Sequence, residues 1–520
     1  MKQLVLVVVM GSVFLLGIYG LQKLPAGMQE AVDNYMAYSV KMGARFPQEI
    51  LSDVKKFPLP LMIRLVLPNQ VLLSEKLMRL PVILIGIGVL VLWAYFWKEE
   101  RVLSTLMLVV TPWFVKNSLF DFGSILTLFF SLLAWVGFKN KWNRWWKLAI
   151  VTCLSLSSLA GLIMAGVLST VWSWKEKWIY LFVILLGMGV RLSPTAWWKS
   201  TVESHVEFSL GQISGEVDQR VRAEYKINGE EDIWPIQIKR IGYNKYNFLG
   251  QKLAKEAIKL FDLEWMASPA QLNTTVSKDL WGEKGISLIY FWELILAGWG
   301  MFKLEKLSKI AKEMCLLATV VAGIAAFFSP SSEIEGAGFL VVVPIVILSA
   351  LGMRELLKNK WLALTSVFIL WGVISTYHHF LIHEEYWRDN RPIVFKEMMI
   401  MWKKYGLNNK TTMSAVLAPT QYYWAWSAKV SPKEFWSNFS ENPTVGNTTF
   451  RHFDLSKEPY QKGEVYIGLP GEFLGNKLKN RQNDFSPSEL PLQMQLLSQA
   501  SFRDAVSYGN GNFVWAVKIK

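Results

Sequence analysis

Glu30 and Asp33 are the first carboxylates of the chain. They follow closely on its first apolar run, within Leu24-Pro-Ala-Gly-Met-Gln-Glu30-Ala-Val-Asp-Asn-Tyr-Met-Ala-Tyr38-Ser. A carboxylate at a membrane–water boundary is partly stripped of water, which raises its pKa and suits it to act as a general base. Helical spacing over Met28–Met42 gathers Glu30, Asp33, Tyr35 and Tyr38 within a few turns. Asp53, Lys55, Lys56 and Arg64 come next, and cations of this kind hold phosphate. The chemistry this set could perform is proton removal from a hydroxyl beside a bound phosphate. The plainer reading is a solvated amphipathic helix carrying ordinary surface charges. Phe57-Pro-Leu-Pro60 is expected to break the helix and turn the chain back toward the membrane.

Three further groups have chemical potential. Thr111-Pro-Trp-Phe-Val-Lys-Asn-Ser-Leu-Phe-Asp121-Phe-Gly123 reads as an outward turn between two membrane helices. Asp121 there lies near membrane depth, where an ionisable group is a functional candidate by default; pairing with Lys116 or exposure to water is the alternative. His379 and His383 are spaced i, i+4 at the end of the last apolar run. That spacing can hold a metal on one helix face, or can be an interfacial polar cap beside Tyr377, Tyr386 and Trp387. Ser329-Pro-Ser-Ser-Glu-Ile-Glu335 is a short turn that could line the same outward cavity. Cys153 and Cys315 lie in apolar runs without zinc-ligand spacing and read as packing residues.

The elements that would position these residues are membrane helices. The chain has 520 residues, is 52% hydrophobic and 14% aromatic, and contains 25 Trp. Its mean hydropathy is +0.25, too apolar for an ordinary soluble protein. Apolar runs recur at Leu4–Leu21, Pro81–Trp97, Leu103–Val115, Phe120–Phe138, Leu148–Trp172, Trp178–Leu192, Gly285–Phe302, Ile310–Phe328, Phe339–Met353 and Trp361–Leu381. Ser155, Ser157 and Ser158 divide Leu148–Trp172 into two short helices or a re-entrant pair. The expected architecture is an α-helical polytopic membrane domain of about eleven transmembrane helices, since a crossing needs about 20 apolar residues. The first run is expected to be a retained helix rather than a cleaved signal.

The short connections Lys98–Arg101, Lys139–Lys147, Lys175–Lys177, Lys303–Lys309 and Arg354–Lys360 are all basic, which assigns them to the cytoplasmic side. The membrane domain then covers residues 1–381, with outward loops at 23–80 and 193–285. Residues 385–520 form a small extracytoplasmic α/β domain, with a helix at Pro392–Tyr405, another at Pro432–Phe439, and strands at Thr412–Leu417, Gly463–Leu469 and Phe513–Ile519. The location is the plasma membrane. Part of the net charge of +14 is this topology signal. Nucleic acid is not expected as a partner, because no basic run interleaves with aromatics on a soluble domain.

Several of these segments resemble the polytopic glycosyltransferases of the C-type superfamily that use a polyprenyl-phosphate sugar donor. The branch is that of the bacterial relatives of protein O-mannosyltransferase and of the aminoarabinose transferase acting on lipid A. Pro25, Gly27, Glu30, Ala31, Tyr35, Ala37, Tyr38 and Ser39 resemble the family's acidic motif after its first helix. Asp53, Lys56 and Pro58 resemble a following Asp-Tyr-Lys-x-Pro-like element, Arg79-Leu80-Pro81 its next helix start, and Thr111-Pro112-Trp113 its outer turn. Phe339–Arg354 is similar to its Pro-containing late span.

The resemblance implies a lipid-linked sugar donor, and a glycan, lipid or protein acceptor at the bilayer. It implies direct displacement at the anomeric carbon, with Glu30 as the carboxylate nearest the chemistry, Asp121 second, and Asp33 one turn on from Glu30 as a further candidate. Asp53, Lys56, Arg64, Tyr35 and Tyr38 would contact substrate. The donor is the implied co-substrate; a divalent metal stays open beside it. One departure matters: Gln29 stands where the family has the first acid of its pair, and Gln takes no proton at neutral pH. A non-catalytic descendant that binds lipid-linked glycan or scaffolds a partner is therefore the alternative, and a transporter or flippase a more distant one.

Overall fold

The structure, a computed structural model, describes residues 28–44, 58–74, 77–97, 101–119, 122–172, 289–328, 337–358, 367, 391–415, 420–438, 443–455, 461–469, 472–473, 500–509 and 512–519. The described residues are mostly helical with one small mixed sheet. The runs Leu4–Leu21, Trp178–Leu192 and Trp361–Leu381 lie outside them, apart from residue 367.

In the bundle, α1 is Met28–Lys41, α2 Pro58–Val66, α3 Asn69–Leu72, α4 Leu80–Phe96, α5 Arg101–Val110, α6 Pro112–Leu119, α7 Phe122–Lys139, α8 Arg144–Ser157 and α9 Leu159–Trp172. After residue 288 come α10 at Phe291–Met301, α11 at Lys309–Phe328 and α12 at Phe339–Lys358. Local chemistry sets many of the boundaries. Pro81 stands in the first turn of α4, where its missing N–H costs nothing. Asn143 caps α8 by accepting from the Trp145 N–H at 3.1 Å. The serine punctuation breaks the next run: Ser158 is extended and its Oγ accepts from Gly161 N at 2.9 Å, opening α9.

Two expectations change. The run Leu103–Val115 is interrupted at Thr111, because the residue before Pro112 is steered out of the helical region. Pro58-Leu-Pro60 is itself helical, and Phe57 with the residues before it lies outside the described residues. Pro58 and Pro60 occupy the first turn of α2, where proline is tolerated.

Among the described residues one helix, the 20-residue α12, is long and apolar enough to cross a membrane. Leu80–Phe96, Gly123–Lys139 and Ala160–Thr170 are apolar but shorter. Helix length therefore does not carry the count of about eleven crossings.

The helix α12 is the hub of the bundle core, buried from Phe339 to Glu355 along most of its faces. It crosses α10 backbone to backbone. A Cβ on Gly300 would lie 2.0 Å from the Leu348 carbonyl oxygen, and one on Gly352 would lie 2.1 Å from that of Leu296. Only glycine permits this approach. At one end Glu355 bonds Lys306 and, at 3.0 Å, Lys358. That cluster ties together the two basic turns at 303–309 and 354–360.

The tail builds a six-stranded sheet in the order β2-β3-β1-β4-β6-β5, from β1 Thr411–Ser414, β2 Thr444–Val445, β3 Thr448–Arg451, β4 Val465–Gly468, β5 Ala500–Gly509 and β6 Asn512–Ile519. β1 runs parallel to β3 and β4, and the remaining pairs are antiparallel. Helices α13 (Arg391–Met401), α14 (Thr420–Ser427) and α15 (Pro432–Ser437) accompany it. The expected helix at Pro392–Tyr405 ends at Met401 in a π-helical turn, Trp402–Gly406. The tail does not close its core alone. Ala31, Tyr35 and Met36 of α1 share one apolar cluster with Phe395, Trp424, Phe435 and Phe450.

Candidate functional site

The first long connection places two of its charged residues together. Asp33 on α1 and Arg64 on α2 form an ion pair, Arg64 Nη1 to Asp33 Oδ2, at 2.9 Å. Arg64 is buried at 8% exposure, while the Asp33 side chain keeps 34%. The local sequence explains the geometry. On α2, Ile63 packs against the bundle core while the neighbouring Arg64 turns to α1. Lys41 at the end of α1 fastens the far side by donating to the Leu67 carbonyl at 2.6 Å. A guanidinium held against a carboxylate in a partly dry place is strongly oriented.

Tyr35, two residues beyond Asp33, has a different fate. Its ring is fully buried, edge-on to Phe435 at 5.4 Å, and its hydroxyl donates to the Val430 carbonyl at 3.3 Å. Burial above all, then the neighbouring Tyr38 and Glu434, push its phenol well above the ordinary tyrosine range. It stays protonated and packs α1 onto the tail, where the sequence suggested a substrate contact. Tyr38 is half-buried, its ring 6.3 Å from that of Tyr35. The Trp426 indole N–H donates to the Leu72 carbonyl at 2.8 Å and adds a second tie between tail and first connection.

Glu30 lies in the first turn of α1, one turn before Asp33. Its side chain lies outside the described residues, as do Asp53, Lys56, Asp121, His379 and His383 entirely.

A buried carboxylate that the chemical reading did not single out sits in the bundle. Glu293, on α10, is fully buried. Its Oε1 accepts from the Thr111 hydroxyl at 2.7 Å and its Oε2 from the Tyr290 N–H at 2.7 Å, capping the helix. Its backbone carbonyl accepts from the Ser349 hydroxyl at 2.7 Å. One residue thus joins the Thr111-Pro112 break and the start of α10 through its carboxylate, and the middle of α12 through its backbone carbonyl. The signal was available, since Glu293 is the one acidic residue in the run Gly285–Phe302. Both oxygens are engaged, which makes it a strut between α5, α6 and α10.

The assembled site is a carboxylate helix braced by a buried guanidinium, roofed by the tail's aromatic core. No family model matches the chain, and no curated protein matches it.

Proposed function

We propose that the chain is an integral-membrane glycosyltransferase that moves a sugar from a polyprenyl-phosphate donor to an acceptor at the outer face of a plasma membrane. The observation that carries this reading is the Asp33–Arg64 pair. It draws the carboxylate-bearing α1 and a phosphate-class cation of the same connection to one place, with Glu30 one turn away. In the proposed reaction the Glu30 carboxylate takes the acceptor hydroxyl proton as that oxygen bonds to the anomeric carbon. The bond from that carbon to the phosphate oxygen breaks, and the leaving phosphate keeps the electron pair. Arg64 and Lys56 would hold that phosphate, and Asp33 would orient Arg64 until it arrives.

A multi-pass arrangement, with the tail outside, belongs to the same proposal. Its support is the surface of the bundle. Leu80, Leu84, Val91 and Tyr95 on α4 form an exposed apolar stripe at helical spacing, and Phe291, Ile295, Trp299 and Phe302 another along α10. Contiguous apolar surface of this kind marks contact with lipid or a partner. The joining of Lys306 and Lys358 through Glu355 is consistent with both basic turns on one side.

A second reading, a non-catalytic binder of lipid-linked glycan, is favoured by Gln29 and by the commitment of Arg64 to Asp33. The test is transfer of a labelled sugar from polyprenyl phosphate by the full chain in lipid vesicles. Turnover in the wild type that falls at least about a hundredfold in Glu30→Gln supports a general base there. Unchanged turnover in the variant removes Glu30 from the mechanism. A wild type that binds polyprenyl phosphate but never turns over supports the second reading.

A further inference from the structure

The C-terminal ends of α4 and α7 and the start of α11 line a cavity of about 260 Å³. Its wall includes Tyr95, Trp97, Lys139, Asn140, Ser308 and Ile310. The polar part is concentrated at the rim. The Asn140 carboxamide lies 3.5 Å from the Tyr95 hydroxyl, and Lys139 and Asn140 are both exposed. Deeper in the wall, Trp97 buries an indole N–H that donates to no group among the described residues. Residues 139–147 carry Lys139, Lys141, Arg144 and Lys147 and no carboxylate. Trp145 and Trp146, 64% and 67% exposed, stand on the same turn. Exposed tryptophans beside cations are the composition of a bilayer interface, where lipid phosphates lie. The apolar stripe of α4 runs up to this rim and ends on it, at Tyr95.

We infer that this cavity binds an anionic phospholipid, with its headgroup phosphate at Lys139 and Asn140 and one acyl chain along the Leu84–Val91–Tyr95 stripe. Charge complementarity selects the headgroup, and the continuous stripe selects a lipid over a free phosphate. The cavity depends on the helices lying in a bilayer, as proposed above, and not on sugar transfer. None of its lining residues belongs to the connection that carries Asp33 and Arg64, which makes it a second lipid site, of a kind that would set how the bundle sits in an anionic leaflet.

The test uses the full chain with vesicles of phosphatidylcholine alone or with added phosphatidylglycerol. Flotation with phosphatidylcholine vesicles reports membrane integration, and a chain that fails to float overturns the bilayer reading and the site with it. For a chain that floats, the measurement is phosphatidylglycerol binding by native mass spectrometry, in the wild type, Lys139→Glu and Lys147→Glu. Lys147 lies on the same turn, over the Phe138 ring at 5.6 Å. The expected result is a loss of about tenfold in affinity for Lys139→Glu and a markedly smaller loss for Lys147→Glu. Equal losses in both variants, no preference for phosphatidylglycerol over phosphatidylcholine, or displacement of the lipid by glycerol phosphate would overturn the assignment. Lys139 is exposed, so melting in phosphatidylcholine should not change in Lys139→Glu and serves as the folding control.

Discussion

Replacing Gly300 by Ala should destabilise the bundle through one backbone crossing. The added Cβ would stand 2.0 Å from the Leu348 carbonyl oxygen and 2.9 Å from its carbon. An ordinary contact needs 3.4 Å or more, so α10 and α12 must part by about 1 Å or shift along each other. Overpacking of this kind costs about 1–3 kcal/mol. Parting the helices also stretches the 2.7 Å bond from the Ser349 hydroxyl to the Glu293 carbonyl, worth about 0.5–1.5 kcal/mol. Against these stands the helix preference of Ala over Gly, about 1 kcal/mol. The net expectation is a loss of about 2 kcal/mol, read as a drop of a few degrees in melting temperature.

The internal control is Gly298, two residues away on the same helix, where a Cβ meets nothing within 4 Å; Gly298→Ala should be neutral or stabilising. Gly352→Ala should cost about as much as Gly300→Ala, and the double variant clearly less than the sum, since the first separation makes room for the second. The assay is thermal unfolding in one detergent at one scan rate, followed by tryptophan fluorescence and far-ultraviolet circular dichroism. If Gly300→Ala melts with Gly298→Ala, the close crossing is not what holds α10 to α12.

Two further outcomes are expected. Asp33→Asn would remove the carboxylate charge paired with a buried guanidinium and should cost about 1–3 kcal/mol, below the range for a fully buried pair because Asp33 is one-third exposed. Arg64→Met and the double variant complete a cycle whose coupling should exceed about 0.5 kcal/mol, and additive losses would show that the pair contributes nothing beyond its parts. Glu472, 4% exposed, accepts from the Leu469 N–H at 3.0 Å and has the His452 Nδ1 3.4 Å away. Burial raises its pKa above the ordinary carboxylate value despite the histidine. The folded state therefore holds that proton more tightly than the unfolded chain. Its contribution is fully present below the ordinary carboxylate value and is lost as pH rises through the raised one. Glu472→Gln should flatten that part of the melting-temperature profile, and an unchanged slope would place the pH dependence elsewhere.

Local signals made much of this architecture legible. The helix over Met28–Met42, the serine break at Ser158, the start at Arg79-Leu80-Pro81 and strands β1, β4 and β6 all follow from capping, proline and alternation within a few residues. What was hidden depends on distant partners. Asp33 and Arg64 were both singled out, but nothing along the sequence separation of 31 announces their pairing. Tyr35 looked available because its cover, Val430 and Phe435, comes from the other end of the chain. Pro58 reads as a breaker from its neighbours in sequence, and it is also the first residue of α2, whose Ile63 packs on the bundle core while Arg64 meets α1. Gly300 and Gly352 look like ordinary helix glycines until their two helices meet.

The shared core of α1 and the tail has a consequence for the order of events during synthesis. The Tyr35 hydroxyl and its acceptor at Val430 are 395 residues apart. At about 5–20 residues per second, that separation is a wait of roughly 20–80 s. Through that interval the apolar face of Ala31, Tyr35 and Met36 has been made and its cover has not. A helper protein, the bilayer surface or a provisional neighbour must occupy that face meanwhile. A chain truncated before residue 420 would leave α1 waiting indefinitely, a natural mark for quality-control proteolysis.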